Sequence, residues 1–364
     1  MERRIVFHID FDYFYAQCEE IRDSKIKGKC VAVCIFSERG KDSGAIATAN
    51  YNARKFGVKS GIPIILAKNK LKEQTDAIFL PADFDYYSDI SSKAMEIIEK
   101  YADVFEYVGR DEAYLDVTKK TECNFDKAQH LAQQLKNEIR NNLKLTCSVG
   151  ITPNKLLSKI ASDFKKPDGL TTVRPEQIEQ FLSPLKIREI PGIGKKTENI
   201  FSEINVRTIE ELTKIDVFDL NKMFGRKTGG YIFNSARGMD DEVVKPRPPT
   251  IQFSKITTLK NNSKELEFLQ ENVEELCNQL NRLAIENYKM YRSIGIQFVN
   301  EDLSTKTKSK MLRNPGNNLE ELKKIVNQLL EEALVDQEML VRRIGVRISE
   351  FSDVEGQSNI TSYF

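Results

Sequence analysis

Three acids offer the most specific chemistry in this sequence. Asp10 lies near the end of an apolar run, VFHIDFDYFY, and Asp111 and Glu112 stand side by side in YVGRDEAYLDV. Alternation puts Ile5, Phe7, Ile9 and Phe11 on one face of a strand and Val6, His8, Asp10 and Asp12 on the other. An edge strand with a wet polar face accounts for the two aspartates; so does a carboxylate held for a metal ion, which needs a second acidic site. Asp111 and Glu112 supply one only if the chain turns there, because adjacent side chains of a regular strand point apart. A tight hairpin tip is therefore expected at this pair. Taken alone, an acidic pair at a strand end is more often solvated than catalytic. Joined to Asp10 it would cage two divalent ions, the arrangement that in-line phosphoryl transfer uses to activate an attacking oxygen and neutralise a leaving one.

The rest of the composition narrows the metal. Six cysteines are scattered without a CxxC pair and only His8 and His130 carry imidazole, which argues against zinc. Oxygen ligands favour magnesium, with manganese as the alternative. The net charge of +1 says nothing about nucleic acid, so a DNA-binding surface has to come from local clustering. A phosphate-binding end needs fixed positive charge. Tyr51 and Arg54 share a face if residues 48–56 are helical, and Lys166 precedes a proline that ends a helix. Each could equally be a surface polar residue without a ligand; together they match the needs of a triphosphate.

The elements that must position these groups can be read in outline. The 364 residues imply two to four domains, with 40% hydrophobic and 30% charged residues as in soluble globular proteins. No apolar stretch of about eighteen residues is present, and residues 1–4 lead straight into a strand, so a cytoplasmic location is expected. Strands are expected at 29–36 and as a pair at 104–117, helices at 88–101 and 126–141, and a strand, turn and helix across CSVGITPNKLLSKIASDF. Residues 174–238 read as almost wholly helical. MDDEVVKPRPPT reads as a linker, and two strand-helix repeats follow, with strands near 251–260, 293–299, 305–312 and 341–348 and helices near 264–288 and 317–334. No folded element is expected after about Phe351.

DFDYFYAQCEE, SGAIATANYNARKFGVKSGIP, DEAYLDV, SVGITPNKLLSKIASDFKKPDG and IPGIGKKT occur in one order and spacing. With these motifs the chain, from about Ile5 to Phe351, resembles the Y-family DNA polymerases of the DinB or polymerase IV branch, most closely the archaeal members. The resemblance implies an α+β multidomain right-hand polymerase. Its catalytic palm would take residues 1–13 and 80–173, small fingers 14–79, and a helical thumb with a helix-hairpin-helix 174–238. A linker at 239–251, a little finger DNA-binding domain at 252–350 and a tail at 351–364 would complete it. It further implies that Asp10 and Asp111 bridge two Mg2+ ions, that Glu112 holds the ion activating the primer 3′-hydroxyl, and that the carbonyl of Phe11 completes a shell. Thr48, Tyr51, Arg54 and Lys166 would bind the deoxynucleoside triphosphate, and Tyr15 would be the steric gate against a 2′-hydroxyl. Small residues at 45, 47 and 61 would leave room over the template base. Slow, error-tolerant synthesis past damaged bases without proofreading is the implied activity. Another palm-type nucleotidyltransferase, or a non-catalytic DNA-binding scaffold recruited to a clamp, are the rival readings. One departure stands beside the acids: Gly109 and Arg110 replace a small polar and an apolar residue. An arginine there could stabilise the charge of the acids or compete with a metal; alternation from Asp111 also permits it to point out of the opposite face, which is the favoured reading.

Grips on primer-template DNA are expected from charge. IPGIGKK has the form of a helix-hairpin-helix turn, in which Gly192 and Gly194 admit a phosphate to a helix N-terminus and Lys195 and Lys196 add charge. Lys306, Lys308 and Lys310 share one face of a strand, as do Arg343 and Arg347 opposite Ile344, Val346 and Ile348. A sheet with one apolar and one cationic side would follow a phosphate backbone, although lysines on a strand also protect an edge against pairing. In the tail, Gln357, Ile360, Tyr363 and Phe364 match the QxxIxxYF pattern of peptides that dock on PCNA-type sliding clamps. A monomer without membrane contact is expected.

Overall fold

The structure, a computed structural model, describes residues 4–353. The chain falls into two compact units, one from Met1–Ile35 and Ala45–Arg247, the other from Phe36–Gly44 and Pro248–Phe364. No helix among the described residues is long and apolar enough to cross a membrane.

The first unit is built on a five-stranded sheet. Its strands are β1 (Val6–Phe11), β5 (Val104–Tyr107), β6 (Glu112–Asp116), β7 (Cys147–Thr152) and β8 (Leu170–Thr172), in the order β5-β6-β1-β7-β8. β1 lies at the centre, antiparallel to β6 and β7. Alternation decides what each face carries. Phe7, Ile9, Ala113, Leu115, Val149 and Ile151 form one core with the apolar stripes of helices Phe84–Glu99 and Phe125–Leu143. The two helices begin where Asp83 and Asn124 accept main-chain N–H groups as N-caps.

The other face carries His8, Asp10, Glu112, Tyr114, Ser148 and Gly150. The register places Asp10 opposite both Glu112 and Ser148, and His8 opposite both Tyr114 and Gly150. Helix Lys155–Phe164, capped by Asn154, lies on this face. It comes so close that a Cβ at residue 150 would lie 2.1 Å from the Ser158 carbonyl oxygen and 2.6 Å from the Ser162 nitrogen. The side of this helix that turns away packs Leu156, Leu157 and Ile160 into a second core. Helices Ile178–Leu182, Lys195–Glu203, Ile209–Thr213, Val217–Phe224 and Arg226–Ala236 contribute to it through residues such as Phe201 and Ile232.

A three-stranded sheet, β3-β2-β4, completes this part of the chain with β2 (Val31–Phe36), β3 (Gly44–Ala49) and β4 (Ile78–Pro81). The helix expected at 48–56 is shorter: Thr48 and Ala49 stay in β3, and the helix runs Tyr51–Lys55 from an Asn50 cap. Asn50 explains the start, since its carboxamide accepts the Ala53 and Val31 N–H groups and donates to Glu20 and the Lys29 carbonyl. The expected linker is also narrower. Its first half is tied to the first unit: Asp240 accepts the Leu156 N–H, Glu242 pairs with Lys155, and Val244 is buried.

The second unit is a four-stranded antiparallel sheet in the order β11-β10-β12-β9, from β9 (Gln252–Ser263), β10 (Lys289–Asn300), β11 (Thr305–Gly316) and β12 (Val341–Asp353). Helices Leu266–Glu286 and Leu319–Leu334 cover the face that carries Ile294, Ile296, Phe298, Ile344, Val346 and Ile348. β12 passes the expected end at Phe351, whose ring packs 4.9 Å from that of Phe253. The lysine stripe of β11 requires a correction. Lys306, Lys308 and Lys310 pair with Phe298, Ile296 and Ile294, so they belong to the helix-covered face and not to the open one. β11 is an edge strand, where long stems reach around the helix. Lys306 Nζ donates to the carbonyls of Ala333 and Asp336, Lys308 to Glu332, and Lys310 to Gln328. Cations at a helix C-terminus complement its dipole, so the stripe has a structural use. Arg343 and Arg347 lie on the open face and are exposed.

Candidate active site

The hairpin expected at the acidic pair forms between β5 and β6. The Val108 and Gly109 N–H groups both donate to the Glu112 carbonyl, and the Phe11 N–H donates to that of Asp111 at 2.8 Å. Asp111 is therefore the last hairpin residue, and Glu112 the first of β6, directly opposite Asp10. Paired residues of neighbouring antiparallel strands share a face with Cβ atoms about 5 Å apart, so the three acids are grouped at one end of the sheet.

Their carboxylates nonetheless do not form a single ligand set: among the described residues no three histidine, cysteine or acidic side chains are grouped to hold a metal ion. Two of the acids, Asp10 and Glu112, are each paired with a lysine. Lys166 Nζ lies 2.6 Å from Asp10 Oδ1 and 2.7 Å from Asp163 Oδ1, while Lys159 Nζ lies 2.5 Å from Glu112 Oε2. Burial pushes the Asp10 carboxyl up to about 6, against the pull of Lys166, and raises Asp111 with help from the Glu112 charge. Glu112 moves the other way, down to about 2, held ionised first by its hydrogen bond to His8 and then, against burial, by Lys159. Burial disfavours the charged Lys166, yet Asp10 and Asp163 outweigh it and hold the ammonium above the ordinary lysine range.

His8 is a functional neighbour that motif reading missed. It is wholly buried, with Nε2 3.2 Å from Glu112 Oε2 and Nδ1 2.7 Å from Ser162 Oγ, and burial lowers its pKa to about 4. The neutral ring donates from Nε2 to the Glu112 carboxylate, which leaves Nδ1 as an acceptor beside the Ser162 hydroxyl, itself within donating distance of the Lys159 carbonyl at 2.8 Å. Alternation already placed His8 on the face of Asp10, which was the signal available.

Of the basic and aromatic candidates, Lys166 pairs with Asp10, and Tyr51 lies within electrostatic reach of both. Tyr51 and Arg54 do share a side of their helix, with the guanidinium 4.9 Å from the ring centroid and Nε donating to the Ala49 carbonyl. The Tyr51 hydroxyl is buried without a hydrogen-bond partner, and burial holds it above the ordinary tyrosine range, with Asp12 and Asp10 adding to the rise and Arg54 and Lys166 opposing it. Thr48 is half-buried in β3. Tyr15, in helix Phe14–Arg22, stacks on the buried Tyr87 at 4.6 Å and 19° and meets Phe84 edge-on, which fixes its ring. Arg110 turns from the acids: Nε donates to Ser88 Oγ and the guanidinium lies over Phe84.

Asp12 does not share the surroundings of Asp10. β1 stops at Phe11, Tyr13 takes a left-handed conformation with φ 39°, and the Asp12 carboxylate is buried, accepting from Thr146, Ser148 and the Asp168 N–H at 2.8 Å each. Away from the acids, Gly192 has φ 86° and Gly194 is the N-cap of helix Lys195–Glu203, with Lys195 and Lys196 in its first turn. A Cβ at 194 would meet nothing within 4 Å, whereas one at 192 would meet the Tyr231 ring at 3.6 Å, so the turn is open on its Gly194 side. The clamp-binding pattern at 357–364 lies outside the described residues.

Comparison with known proteins identifies the family. The impB/mucB/samB family matches residues 9–163, its C-terminal domain 251–361, and a thumb domain described for DNA polymerase iota 188–240. DNA polymerase IV of Nitrosopumilus maritimus (strain SCM1) is 65% identical over the full length of both chains. That of Saccharolobus solfataricus is 36% identical over 99% of each. Among solved structures, a Y-family DNA polymerase chimera superposes with a TM-score of 0.88 at 35% identity, covering 96% of this chain and 100% of its own. An insertion ternary complex of Dbh DNA polymerase gives 0.69 at 36%, covering 95% and 98%. Sequence, site layout and fold converge on one assignment: the chain belongs to the Y-family DNA polymerases, in the DinB or DNA polymerase IV branch.

Proposed function

We propose that this chain is a template-directed DNA polymerase of low fidelity that extends primers past damaged bases without proofreading. The observation that carries the reading is the pairing of Asp10 with Glu112 on adjacent strands, with Asp111 beside them and Lys166, Tyr51 and Arg54 around them. Two divalent cations fit this group in kind. Burial and mutual repulsion raise two of its carboxyls, as in a site that gains from added positive charge, and the Tyr51 hydroxyl is buried without a partner.

Asp10, Asp111, Glu112 and the carbonyl of Phe11 would hold magnesium, with manganese in its place as the alternative. When bound, the cations supply an activated attacking oxygen and neutralise charge on the leaving phosphates. This chain's own side chains orient the nucleotide. Lys166 moves from Asp10 to the triphosphate, Arg54 and Tyr51 bind further phosphate oxygens, and Thr48 adds a hydroxyl. The Tyr15 ring, backed by Tyr87, occupies the space that a 2′-hydroxyl needs.

In the first unit the Gly192–Gly194 turn contacts primer-template DNA, and in the second the open face bearing Arg343 and Arg347 does so. Residues 357–364 recruit the enzyme to a PCNA-type clamp, and the working form is a monomer in the cytoplasm. Primer extension with magnesium and one templated nucleotide tests the catalytic reading. Asp111→Ala and Glu112→Ala should abolish extension while primer-template affinity stays near that of the parent. Equal loss of both would mean that the acids serve folding.

A further inference from the structure

Two buried side chains near the site, those of Asp12 and Lys136, make no hydrogen bond or ion pair to the residues assigned to metal or nucleotide. Both converge on one dipeptide, Asp168–Gly169, two positions beyond Lys166. Lys136, on helix Phe125–Leu143, is 4% exposed and donates to the carbonyls of Cys147 at 2.7 Å and of Asp168 and Gly169 at 2.8 Å each, with Asp168 Oδ1 at 3.0 Å. Asp12, fully buried, accepts the Asp168 N–H at 2.8 Å. It also accepts the hydroxyl of Ser148, whose oxygen in turn accepts the Gly169 N–H at 3.1 Å. All four main-chain polar groups of the dipeptide are thus held by two side chains and a serine between them.

The turn needs such a hold. Asp168 adopts φ 55°, a conformation that L-residues rarely take, and a Cβ at 169 would lie 2.6 Å from the Lys165 carbonyl oxygen. Arg140 pairs with the Asp168 carboxylate from outside. A buried lysine with two carbonyls of the turn, the Cys147 carbonyl and the Asp168 carboxylate around its ammonium has no donor left for a substrate.

We propose that Asp12 and Lys136 are positioning residues for nucleotide binding: they lock the 166–169 turn so that the Lys166 ammonium is presented to the triphosphate. This rests on the reading of Lys166 given above. A binding group displaced by about 1 Å loses up to 100-fold in efficiency, so loosening the turn shows as a weaker grip on the nucleotide and not on the DNA.

A mutant cycle tests it, with steady-state KM for the templated deoxynucleoside triphosphate as readout and primer-template affinity as control. Lys136→Met is expected to raise that KM about tenfold or more with DNA affinity unchanged. In a Lys166→Ala background the same substitution is expected to add nothing, because the group that it positions is already gone. If Lys166→Ala raises KM but Lys136→Met leaves it unchanged, or the two losses multiply, Lys136 does not act through Lys166 and the proposal is overturned. If Lys166→Ala leaves KM unchanged, the triphosphate reading falls first and the proposal with it. Should Lys136→Met fail to fold, Asp12→Asn carries the same cycle with the same expected and overturning results.

Discussion

Asp10→Asn should make the metal-free protein more stable while it destroys activity. The Asp10 carboxyl is raised from 3.8 to about 6, with burial as the first cause. The folded state therefore binds a proton that the unfolded chain has released, and stability falls as pH rises between about 4 and 6. Each tenfold change in proton affinity is worth ~1.4 kcal/mol, so holding Asp10 ionised at pH 7 costs the fold up to about 3 kcal/mol. The side chain is 17% exposed, and solvent lowers that figure toward ~2 kcal/mol. Asparagine keeps the shape without the charge, and Lys166 retains Asp163 as its partner. Hydrogen exchange of the β1 and β6 amides, read by mass spectrometry in chelator-treated buffer, measures the local stability. The variant should exceed the parent by ~2–3 kcal/mol at pH 7 and by little at pH 4, where both side chains are neutral. Primer extension should be lost at every pH. An asparagine variant no more stable than the parent at pH 7, or a gain that persists undiminished at pH 4, would refute the assignment of burial as the dominant effect on this carboxyl.

Three further outcomes are expected. Tyr15→Ala should admit ribonucleotides, measured as the ratio of kcat/KM for ribo- and deoxynucleotide incorporation; unchanged sugar selectivity would remove the gate assignment. Arg343→Ala and Arg347→Ala should each reduce the slope of log affinity for DNA against log salt by about 1, whereas Lys306→Ala and Lys308→Ala should leave it unchanged because their ammoniums face helix carbonyls. Deleting residues 357–364 should end stimulation by a sliding clamp without altering basal extension, and a clamp response that survives the deletion would refute the tail assignment.

Much of the fold could be read from periodicity, and the exceptions have physical causes. Apolar alternation locates the strands of the second unit but stops short of their ends, since main-chain pairing continues through polar positions such as those of Lys289–Asn300. Alternation also says that Lys306, Lys308 and Lys310 share a face without saying which. Only the register, with Lys308 opposite the buried Ile296, answers that. Asp10 and Asp12 look equivalent by the same rule. They part because the strand ends between them and Tyr13 turns left-handed, a local event without a periodic signature. The acids, Tyr15 and the Tyr51–Arg54 pair were legible because each sits in a motif long enough to be specific. Lys159 and Lys136 were not, since a lysine in a helix reads as solvated until the neighbouring element is known.

The absence of a side chain at residue 150 has a consequence for how this centre can be tuned. Lys159, Ser162 and Asp163 ride on one rigid rod, and the depth of its seat on the sheet depends on a single missing methyl group. Substituting any one of the three alters one contact. Adding bulk beneath the rod would lift the partners of Glu112, His8 and Lys166 together, so a change remote from the phosphates would be felt there as several simultaneous mutations.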